Sequence, residues 1–541
     1  MLNLLNLKLR KVILMNKNSF NKLSVNPITL DISRSKFDRS FSYSTTFNAG
    51  KLIPMYLEEV LPGDTFSTDL STVCRMTTPI FPVMDNANLD IYFFFVPTRI
   101  IWDKTKEFLG ENTSGPWTQQ TEYILPYQTR PGSPILISAG SPADYFGLPV
   151  GSVNDDICVL PFRAYDLIWN EWFRDQNTQA PIAINKSGSG AIIDNSFING
   201  VSSTGLRPVN KYHDLFTSCL PDTQKHSPVI MPISGDGKLF AKPYGSYTYS
   251  LGASALISDL KNDASTHYSK TTDSSTTISN TNLYTSFENA TLTVNQVREA
   301  FAIQRLYERD AMGGTRMREM IKAHFGVTMP DYRSQIPEFL GGKRIPITVN
   351  QVVQTSSSDS TSPQGNTSAF SLTVDKSNLF TKSFTEPGYI IGVMCVRTLH
   401  TYSQNIEKLW SKKRRFDQYY PALAYIGNQP VYKRELFSDN EHNDEVFGFQ
   451  EAWYEYRYKN NMVTGQFRPS LGTAGLSSWN YADSFTSAPA LNSDFMKETD
   501  VNVKRTLAVQ DSPQFLINMY FSNFAYRPMP TYSEPGQIDH H

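Results

Sequence analysis

Two short segments combine cationic and aromatic side chains, a combination that binds single-stranded nucleic acid. The first segment runs from Trp410 to Phe416 and contains Lys412, Lys413, Arg414 and Arg415. The second runs from Tyr454 to Lys459, where tyrosines alternate with charged residues. Cations neutralise phosphates while bases stack on rings, so both segments are candidate DNA contacts. An ordinary solvated surface is the alternative, which for the second segment means an amphipathic strand.

The first 40 residues are a third cationic feature. They contain eight bases and two acids, a net charge of 8 − 2 = +6, and residues 1–30 contain no acid. The bases are Lys8, Arg10, Lys11, Lys17, Lys22, Arg34, Lys36 and Arg39. Asn, Ser and Pro interrupt any helical period, which predicts an arm without stable structure of its own. We expect this arm to contact nucleic acid; an unstructured tail and a contact with an acidic neighbour are the alternatives.

The sequence lacks the motifs of common catalytic sites. It contains no GxxxxGK[ST], HExxH, GxSxG or GxGxxG motif. Its four cysteines form no CxxC pair, which excludes a zinc ribbon and a redox motif; they are Cys74, Cys158, Cys219 and Cys395. The acidic stretch Glu441–Glu445 lacks the spacing of a calcium loop and is interpreted as a solvated turn. We therefore expect no enzyme, no cofactor and no metal site, and leave open only a divalent cation at subunit contacts.

The composition of the chain further narrows the possible classes of protein. The formal net charge is −1, which argues against a protein that wraps nucleic acid over its whole surface. Aromatic residues make up 13% of the chain and charged residues 19%, which suits large cores and interfaces. The chain has no run of 18 apolar residues, and the charges near its start do not follow the order of a signal peptide. We expect a protein that is made in the cytoplasm and is not secreted.

The elements that must position these segments are mainly strands. Apolar or alternating runs predict strands at 64–73, 89–96, 389–398 and 515–526, close to both ends of the chain. The run at 89–96 is apolar on both faces, which predicts burial between two layers. Four helices are predicted. The first begins after Thr98, which is expected to cap it, and the second spans 161–174. The third runs from the capping box Thr293–Gln296 to Gly313, and the fourth spans 315–325.

A long polar segment divides the chain. Residues 233–293 are rich in Ser, Thr and Asn, and 263–282 has almost no large aliphatic residues. A loop this long inside a compact domain is either functional or disordered. The predicted organisation is an arm at 1–40, a first core part with helical insertions at 41–232, the insertion at 233–293, and a helical connection with the second core part and a C-terminal extension at 294–541.

Longer strings of residues carry a family resemblance. They include ISRSKFDRS at 32–40, LPGDTF at 61–66, RAYDLIWNEWFRDQN at 163–177, ERDAMGGTR at 308–316, QTSSSDSTSPQGN at 354–366 and PGQIDH at 535–540. Together they resemble the major capsid proteins of gokushoviruses, small tailless single-stranded DNA phages of the microvirus group. The resemblance runs from about residue 16 to the end and fails only near 233–293. Residues 1–14 and the final His depart from the family pattern.

The resemblance implies a fold and a recognition loop. The implied fold is mainly β, a single eight-stranded antiparallel jelly roll of the viral capsid type, with long loop insertions and a few helices. The insertion at 233–293 is implied to cluster as a protrusion at the threefold axes and to attach to the host cell. The loop residues assigned to attachment are Tyr244, Tyr247, Tyr249, His267, Tyr268 and Tyr284.

The implied function is structural. Copies of the chain would assemble through fivefold and threefold contacts into a T=1 icosahedral shell around a circular single-stranded DNA genome. The implied partners are other copies, the packaged DNA, a small basic packaging protein and a bacterial surface receptor, without membrane insertion. The expected location is the virion, assembled in the host cytoplasm. A phage receptor-binding protein and a β-sandwich glycan-active enzyme are the alternatives.

Overall fold

The computed structural model describes most of the chain in ten stretches. They are residues 33–112, 115, 121–128, 134–192, 205–230, 237–241, 283–287, 293–356, 363–439 and 441–532.

Strands dominate the described residues. In chain order they are β1 (Ser35–Asp38), β2 (Phe41–Phe47), β3 (Ile53–Val60), β4 (Thr65–Met76), β5 (Ala87–Pro97), β6 (Tyr127–Gln128), β7 (Ile135–Ile137), β8 (Gly151–Val153), β9 (Ile157–Cys158), β10 (Ala191–Ile192), β11 (Gly237–Ala241), β12 (Leu283–Phe287), β13 (Glu338–Pro346), β14 (Val349–Val353), β15 (Thr367–Ser371), β16 (Thr373–Ser383), β17 (Gly388–Thr398), β18 (Asn428–Tyr432), β19 (Val446–Glu451) and β20 (Phe515–Arg527).

The helices are mostly short. The α-helices are α1 (Thr98–Ile101), α2 (Thr105–Phe108), α3 (Pro142–Tyr145), α4 (Leu160–Ile168), α5 (Val294–Met312), α6 (Met317–Phe325), α7 (Lys408–Ser411), α8 (Ser493–Met496) and α9 (Val501–Arg505). A π-helix, Trp169–Phe173, continues α4. Single 3₁₀ turns lie at Arg415–Asp417, Pro421–Leu423, Lys433–Glu435, Tyr454–Tyr456, Gly465–Phe467, Pro469–Ala474 and Ser477–Trp479. In the described part of the chain, no helix has the length and apolar character needed to cross a bilayer.

Two large antiparallel sheets form the centre of the molecule. The four-stranded sheet has the order β13-β5-β17-β3. The five-stranded sheet has the order β1-β20-β4-β16, and β2 also pairs with β20. Strands β1 and β2 share one edge position, because β1 pairs with the end of β20 and β2 with its beginning. The remaining strands form small sheets in the connections.

The two sheets pack face to face around one apolar core. Tyr56 of β3 and Phe93 of β5 contact Phe521 of β20 across the layer, with ring centroids 5.3 and 6.4 Å from that of Phe521. The amide of Asn523 donates a 2.7 Å hydrogen bond to the Tyr56 hydroxyl, which pairs these two polar groups inside the core. The core thus joins strands from the beginning and the end of the chain.

A second apolar core covers the other face of the four-stranded sheet. Helices α1 and α4 supply it, and Trp102, Tyr165 and Ile168 are fully buried there. The Tyr165 hydroxyl donates to the Leu52 carbonyl at 2.7 Å, which ties α4 to the chain leading into β3. Phe94 of β5 belongs to this second core, whereas Phe93 belongs to the first. The prediction that this strand is buried between two layers is confirmed.

The mainly β, antiparallel character predicted from the sequence is confirmed, and each of the four predicted strands is present. The two large sheets contain nine strands because β1 and β2 both pair with β20. The finer expectation of a single eight-stranded jelly roll is not confirmed by this count and stays a prediction.

Most helix predictions are confirmed, with one error at a cap. Thr293 and Gln296 form the predicted capping box of α5. Helix α6 ends at Gly326, which has φ = 70°, a conformation that favours glycine. The predicted helix after Thr98 is wrong in detail: it is split into α1 and α2, and Thr98 does not cap it. The Thr98 hydroxyl instead donates to the Pro387 carbonyl, which links α1 to the start of β17.

Candidate nucleic-acid interface

The segment from α7 to Asp417 presents three cations to solvent. The Asp417 carboxylate accepts backbone N–H bonds from Lys413 at 2.9 Å and Arg414 at 2.7 Å, which fixes the turn. The same bonds lower the pKa of Asp417. Because this carboxylate is occupied by the backbone, the side chains of Lys413, Arg414 and Arg415 remain exposed. This surface is called the 413–415 cluster below.

Lys412 lies in a different environment from its neighbours. Its ammonium is 2.9 Å from the Glu455 carboxylate, donates to the Tyr456 hydroxyl at 3.0 Å and lies 4.1 Å from the Tyr456 ring centroid. Partial burial disfavours the ammonium charge, but these hydrogen bonds outweigh it and raise the pKa of Lys412. Lys408 lies 3.7 Å from the same carboxylate. The structure therefore places Lys412 in an ion pair within the chain.

Large aromatic side chains on either side of the 413–415 cluster in the sequence are exposed. Trp410 is 78% exposed, Phe416 73% and Tyr425 fully exposed. Exposed rings of this size beside unpaired cations are typical of an interaction surface. The cluster can neutralise phosphates and offer rings for stacking.

The second cationic segment, Tyr454–Lys459, is not a strand. Residues Tyr454–Tyr456 form a 3₁₀ turn, so the alternative interpretation as an amphipathic strand is wrong. Tyr454 is buried and donates to the Glu435 carboxylate at 2.6 Å. Arg457 pairs with Glu451, and Lys459 lies 2.7 Å from Glu407. The cations of this segment are therefore neutralised by the chain itself.

The structure describes only the end of the basic arm. The Lys36 ammonium lies 3.8 Å from the Phe524 ring centroid, and the Arg39 guanidinium lies 2.8 Å from the Glu58 carboxylate. Arg34 directly precedes β1. The other predicted DNA contacts lie outside the described residues; they are Lys8, Arg10, Lys11, Lys17 and Lys22.

Little of the predicted attachment loop is described. Tyr284 lies in β12, where its backbone is in register with Phe240 of β11 in an antiparallel pair. The remaining loop residues lie outside the described part of the chain; they are Tyr244, Tyr247, Tyr249, His267 and Tyr268.

One buried charge cluster was not predicted from the sequence. Asp90 of β5 is 1% exposed and accepts hydrogen bonds from Arg344 at 2.8 Å, Arg397 at 2.5 Å and the Tyr212 hydroxyl at 2.6 Å. Both guanidinium groups also lie over the Tyr212 ring, at 4.3 and 4.2 Å. Burial raises the pKa of Tyr212, and the hydrogen bond to Asp90 adds to this effect. The cluster ties neighbouring strands of the four-stranded sheet together.

A cleft of about 710 Å³ opens beside this cluster, between the π-helix and Arg316. Its size is in the range of small-molecule pockets. Four of its five arginines, however, face carboxylates of the chain; for example, Arg316 lies 3.2 Å from Glu171, and Arg318 lies 3.3 Å from Asp331. The cleft therefore has less free positive charge for binding an anion than its number of arginines indicates.

A second buried cluster surrounds His400. Its Nδ1 atom lies 2.7 Å from the Asp483 carboxylate, and its Nε2 atom lies 2.9 Å from Glu498. Burial disfavours the imidazolium, but the two carboxylates outweigh it and raise the pKa of His400 to about 9. Conversely, the pKa of Asp483 falls to about 2 despite its burial, because the charged ring faces it. At neutral pH this is a charged, internally paired unit.

Neither the cysteines nor the predicted acidic turn forms a reactive centre in the described residues. No group of three or more His, Cys, Asp or Glu side chains within these stretches is arranged to hold a metal ion. In the predicted acidic turn, His442 pairs with Asp439 at 2.7 Å. The four cysteines are free thiols; burial raises the pKa of each, to about 12 for Cys74 and Cys395. Raised thiol pKa values disfavour nucleophilic thiolates.

The fold and the surfaces together define a class of protein. This is a β-sandwich protein in which the described charged groups inside stabilise the fold, while exposed rings and cations form contact surfaces. The chain matches the family model described as "Capsid protein (F protein)" over residues 27–537 and belongs to that family.

Known relatives agree with this assignment. The chain is 36% identical to "Capsid protein VP1" of Chlamydia phage 1, over 97% of this chain and 99% of the relative. It is 36% identical to the protein of the same name from Bdellovibrio phage phiMH2K, over 96% and 98%. It is 37% identical to that of Spiroplasma virus 4, over 93% and 95%. The resemblance to gokushovirus-like microviruses is confirmed, and these relatives are structural proteins rather than enzymes.

Proposed function

We propose that this chain is the subunit of a T=1 icosahedral shell that encloses a circular single-stranded DNA genome. The observation that carries this proposal is the family match over residues 27–537. The exposed apolar side chains of Phe301, Met317 and Phe325 support it, because a shell subunit must bury surface against several copies at once.

Negative-stain microscopy of the expressed, purified chain tests assembly. We expect closed isometric particles of uniform diameter. A stable monomer at high concentration contradicts the proposal. A discrete trimer without particles supports a receptor-binding protein instead, and release of sugars from a glycan supports an enzyme.

We further propose that the basic arm and the 413–415 cluster contact the packaged DNA through phosphates. With a net charge of −1, the shell neutralises little of a genome, which supports a separate, small basic packaging protein as a partner. Lys412 contributes less than its neighbours in this proposal because Glu455 pairs with it.

Charge removal within the arm tests this contact. Replacing Lys8, Arg10, Lys11, Lys17 and Lys22 with Gln keeps the arm length and leaves β1 intact. We expect particles to form but to contain less DNA, measured by absorbance at 260 and 280 nm and by extraction. Lys322→Gln on α6 is the single-charge control outside the arm. Unchanged DNA content in the arm variant excludes the arm as a genome contact.

We propose that the insertion at 233–293 binds the host surface, as a protrusion with its base at the β11–β12 pair. Replacing residues 242–282 with a short Gly/Ser linker retains that base. We expect intact particles that no longer adsorb to host cells. Normal adsorption by such particles contradicts this role.

A further inference from the structure

The outward face of the five-stranded sheet has a composition that the sandwich does not require. Side chains alternate along β20, so Met519 and Phe521 enter the core while Tyr520, Phe524 and Tyr526 point outward. Tyr520 is 47% exposed and Tyr526 39%. An antiparallel sheet needs only polar residues on its solvated face. Three aromatic rings on one central strand of that face therefore need a separate explanation.

Three cations share this face with the rings. Lys36 of β1 lies opposite Tyr526, Arg75 of β4 lies opposite Leu516 of β20, and Lys376 of β16 lies opposite Ser71 of β4. Directly opposite residues in a sheet project to the same side. Within the described stretches, none of these three cations forms an ion pair with a carboxylate. Two carboxylates, Asp38 and Asp69, share the face and accept hydrogen bonds from the neutral side chains of Ser40 and Asn378. The formal charge of these five groups is therefore 3 − 2 = +1.

The chain packs its helices on the other sheet. Helices α1 and α4 cover the four-stranded sheet, whereas residues such as Val374, at 68% exposure, leave the five-stranded face open. The described residues therefore leave this face of the five-stranded sheet open to another molecule.

The charge of the basic arm indicates the kind of occupant. Residues 1–30 contain five bases and no acid, and the arm joins β1 two residues before Lys36. The arm and the face carry charge of the same sign, so they repel each other rather than pair. A polyanion is attracted by both at once. Exposed rings select for unpaired bases, because a duplex keeps its bases stacked inside.

We propose that the outward face of the five-stranded sheet is a binding platform for single-stranded DNA. Bases stack on Tyr520 and Tyr526, and phosphates contact Lys36, Arg75 and Lys376. The ring of Phe524 supports the Lys36 ammonium from below. Tyr520 and Tyr526 are separated by about 20 Å along the strand, so the platform requires an extended stretch of several nucleotides. The inference rests on the proposed function, because it requires a shell that encloses such DNA.

Crosslinking in intact particles tests the location. Purified particles are irradiated with ultraviolet light, and nucleotide adducts are mapped by mass spectrometry. We expect adducts on the β20 peptide that contains Tyr520 and Tyr526. Adducts confined to other segments, such as the 413–415 cluster, overturn the platform while leaving the proposed function intact.

Binding of a fluorescent 20-nucleotide oligothymidylate to the purified full-length chain tests the chemistry. We expect Tyr520→Ala and Tyr526→Ala each to weaken binding at least about fivefold, the loss typical of one stacked base. Replacing Lys36, Arg75 and Lys376 together with Ala should reduce the slope of log affinity against log salt by about 2. Tyr332→Ala, at a 55% exposed tyrosine of the loop after α6, is the matched control and should change neither quantity.

The outcomes separate the two proposals. If wild-type particles contain DNA but the face variants bind the oligonucleotide unchanged, the platform is wrong. If the variants bind normally but no longer assemble, the face is a contact between copies, which also overturns the platform. Absence of particles from the wild-type chain instead overturns the proposed function. Thermal melting of each variant checks that it is folded, and the exposed positions of Tyr520 and Tyr526 predict that it is.

Discussion

Helices α4 and α5 are both predicted from the sequence but have opposite surroundings. Eight of the nine residues of α4 are buried, because it lies across the four-stranded sheet. In the 19-residue helix α5 only Ala311 is buried, and Phe301 is 67% exposed. A hydrophobic period predicts that a helix forms, but it does not identify the molecule that covers the apolar face.

The contrast extends beyond the two helices. Near α5, Met317 and Phe325 of α6 are 70% and 78% exposed. Large exposed apolar side chains are uncommon on a monomer and common where another molecule binds. The family membership of the chain explains the contrast, because a capsid subunit keeps part of its apolar surface for other copies. The interior and these surfaces should therefore respond differently to the same kind of substitution.

The interior and the surface should differ most in the free energy lost when a charged pair is broken. Asp90→Asn leaves Arg397, whose side chain is 13% exposed, without its buried carboxylate. Breaking a buried pair in this way costs about 3–5 kcal/mol. We expect a loss of that order in the free energy of unfolding, measured by urea titration.

The matched control for this pair lies on the surface. Asp494 is 86% exposed and lies 2.9 Å from Lys497. Asp494→Asn should change the free energy of unfolding by about 0.5 kcal/mol or less, since exposed pairs contribute little. Equal losses in the two variants would show that burial does not distinguish the two regions.

Two aliphatic truncations compare the helices directly. Ile168→Ala in α4 removes a fully buried side chain and should cost about 2–4 kcal/mol. Leu306→Ala in α5, at 48% exposure, should cost about 1 kcal/mol or less in the unassembled subunit. Denaturant titration of the unassembled chain measures both. A large loss for Leu306→Ala would mean that α5 is covered within one chain.

The fold was predictable where local pattern and burial agree. Strands β5, β17 and β20 are long apolar or alternating runs, and the capping box of α5 is a local signal. Strands β13 and β16 were not predicted. In β13, a Cβ atom at Gly341 would collide with the Leu379 carbonyl of β16, so only glycine fits at this position. Glycine is not typical of strands, and the close approach of the two strands therefore hides β13 from a sequence-based prediction.

The candidate site was predictable only in composition. The run that contains Lys412 and Lys413 is visible in the sequence, but the pairing of Lys412 with Glu455 depends on a contact between distant segments. Asp90 is likewise 254 and 307 residues away from Arg344 and Arg397. No local period brings such residues together, so their partners emerge only once the sheets are paired. Which cations remain free to bind an anion is therefore a property of the fold.

The His400 cluster extends the comparison of interior and surface to the dependence of stability on pH. The pKa of His400 is raised from 6.5 to about 9 by Asp483 and Glu498, with Lys211 and Asp85 also nearby. Because the folded state binds this proton more tightly, its contribution is complete below about pH 6.5 and is lost as pH rises through 9. We expect the free energy of unfolding to fall by about 2 kcal/mol between pH 7 and pH 9 from this group.

Two variants separate this cluster from other titrating groups. His400→Gln keeps some hydrogen bonding but no charge, so it should flatten this part of the stability profile between pH 7 and pH 9. His442→Gln is the control, because His442 pairs with Asp439 at the surface, where solvent screens the charge and leaves little linkage to folding. Stability profiles are measured by urea titration at each pH. A wild-type profile that rises over this range, or one that only His442→Gln flattens, would show that the interior charge of His400 does not stabilise the subunit.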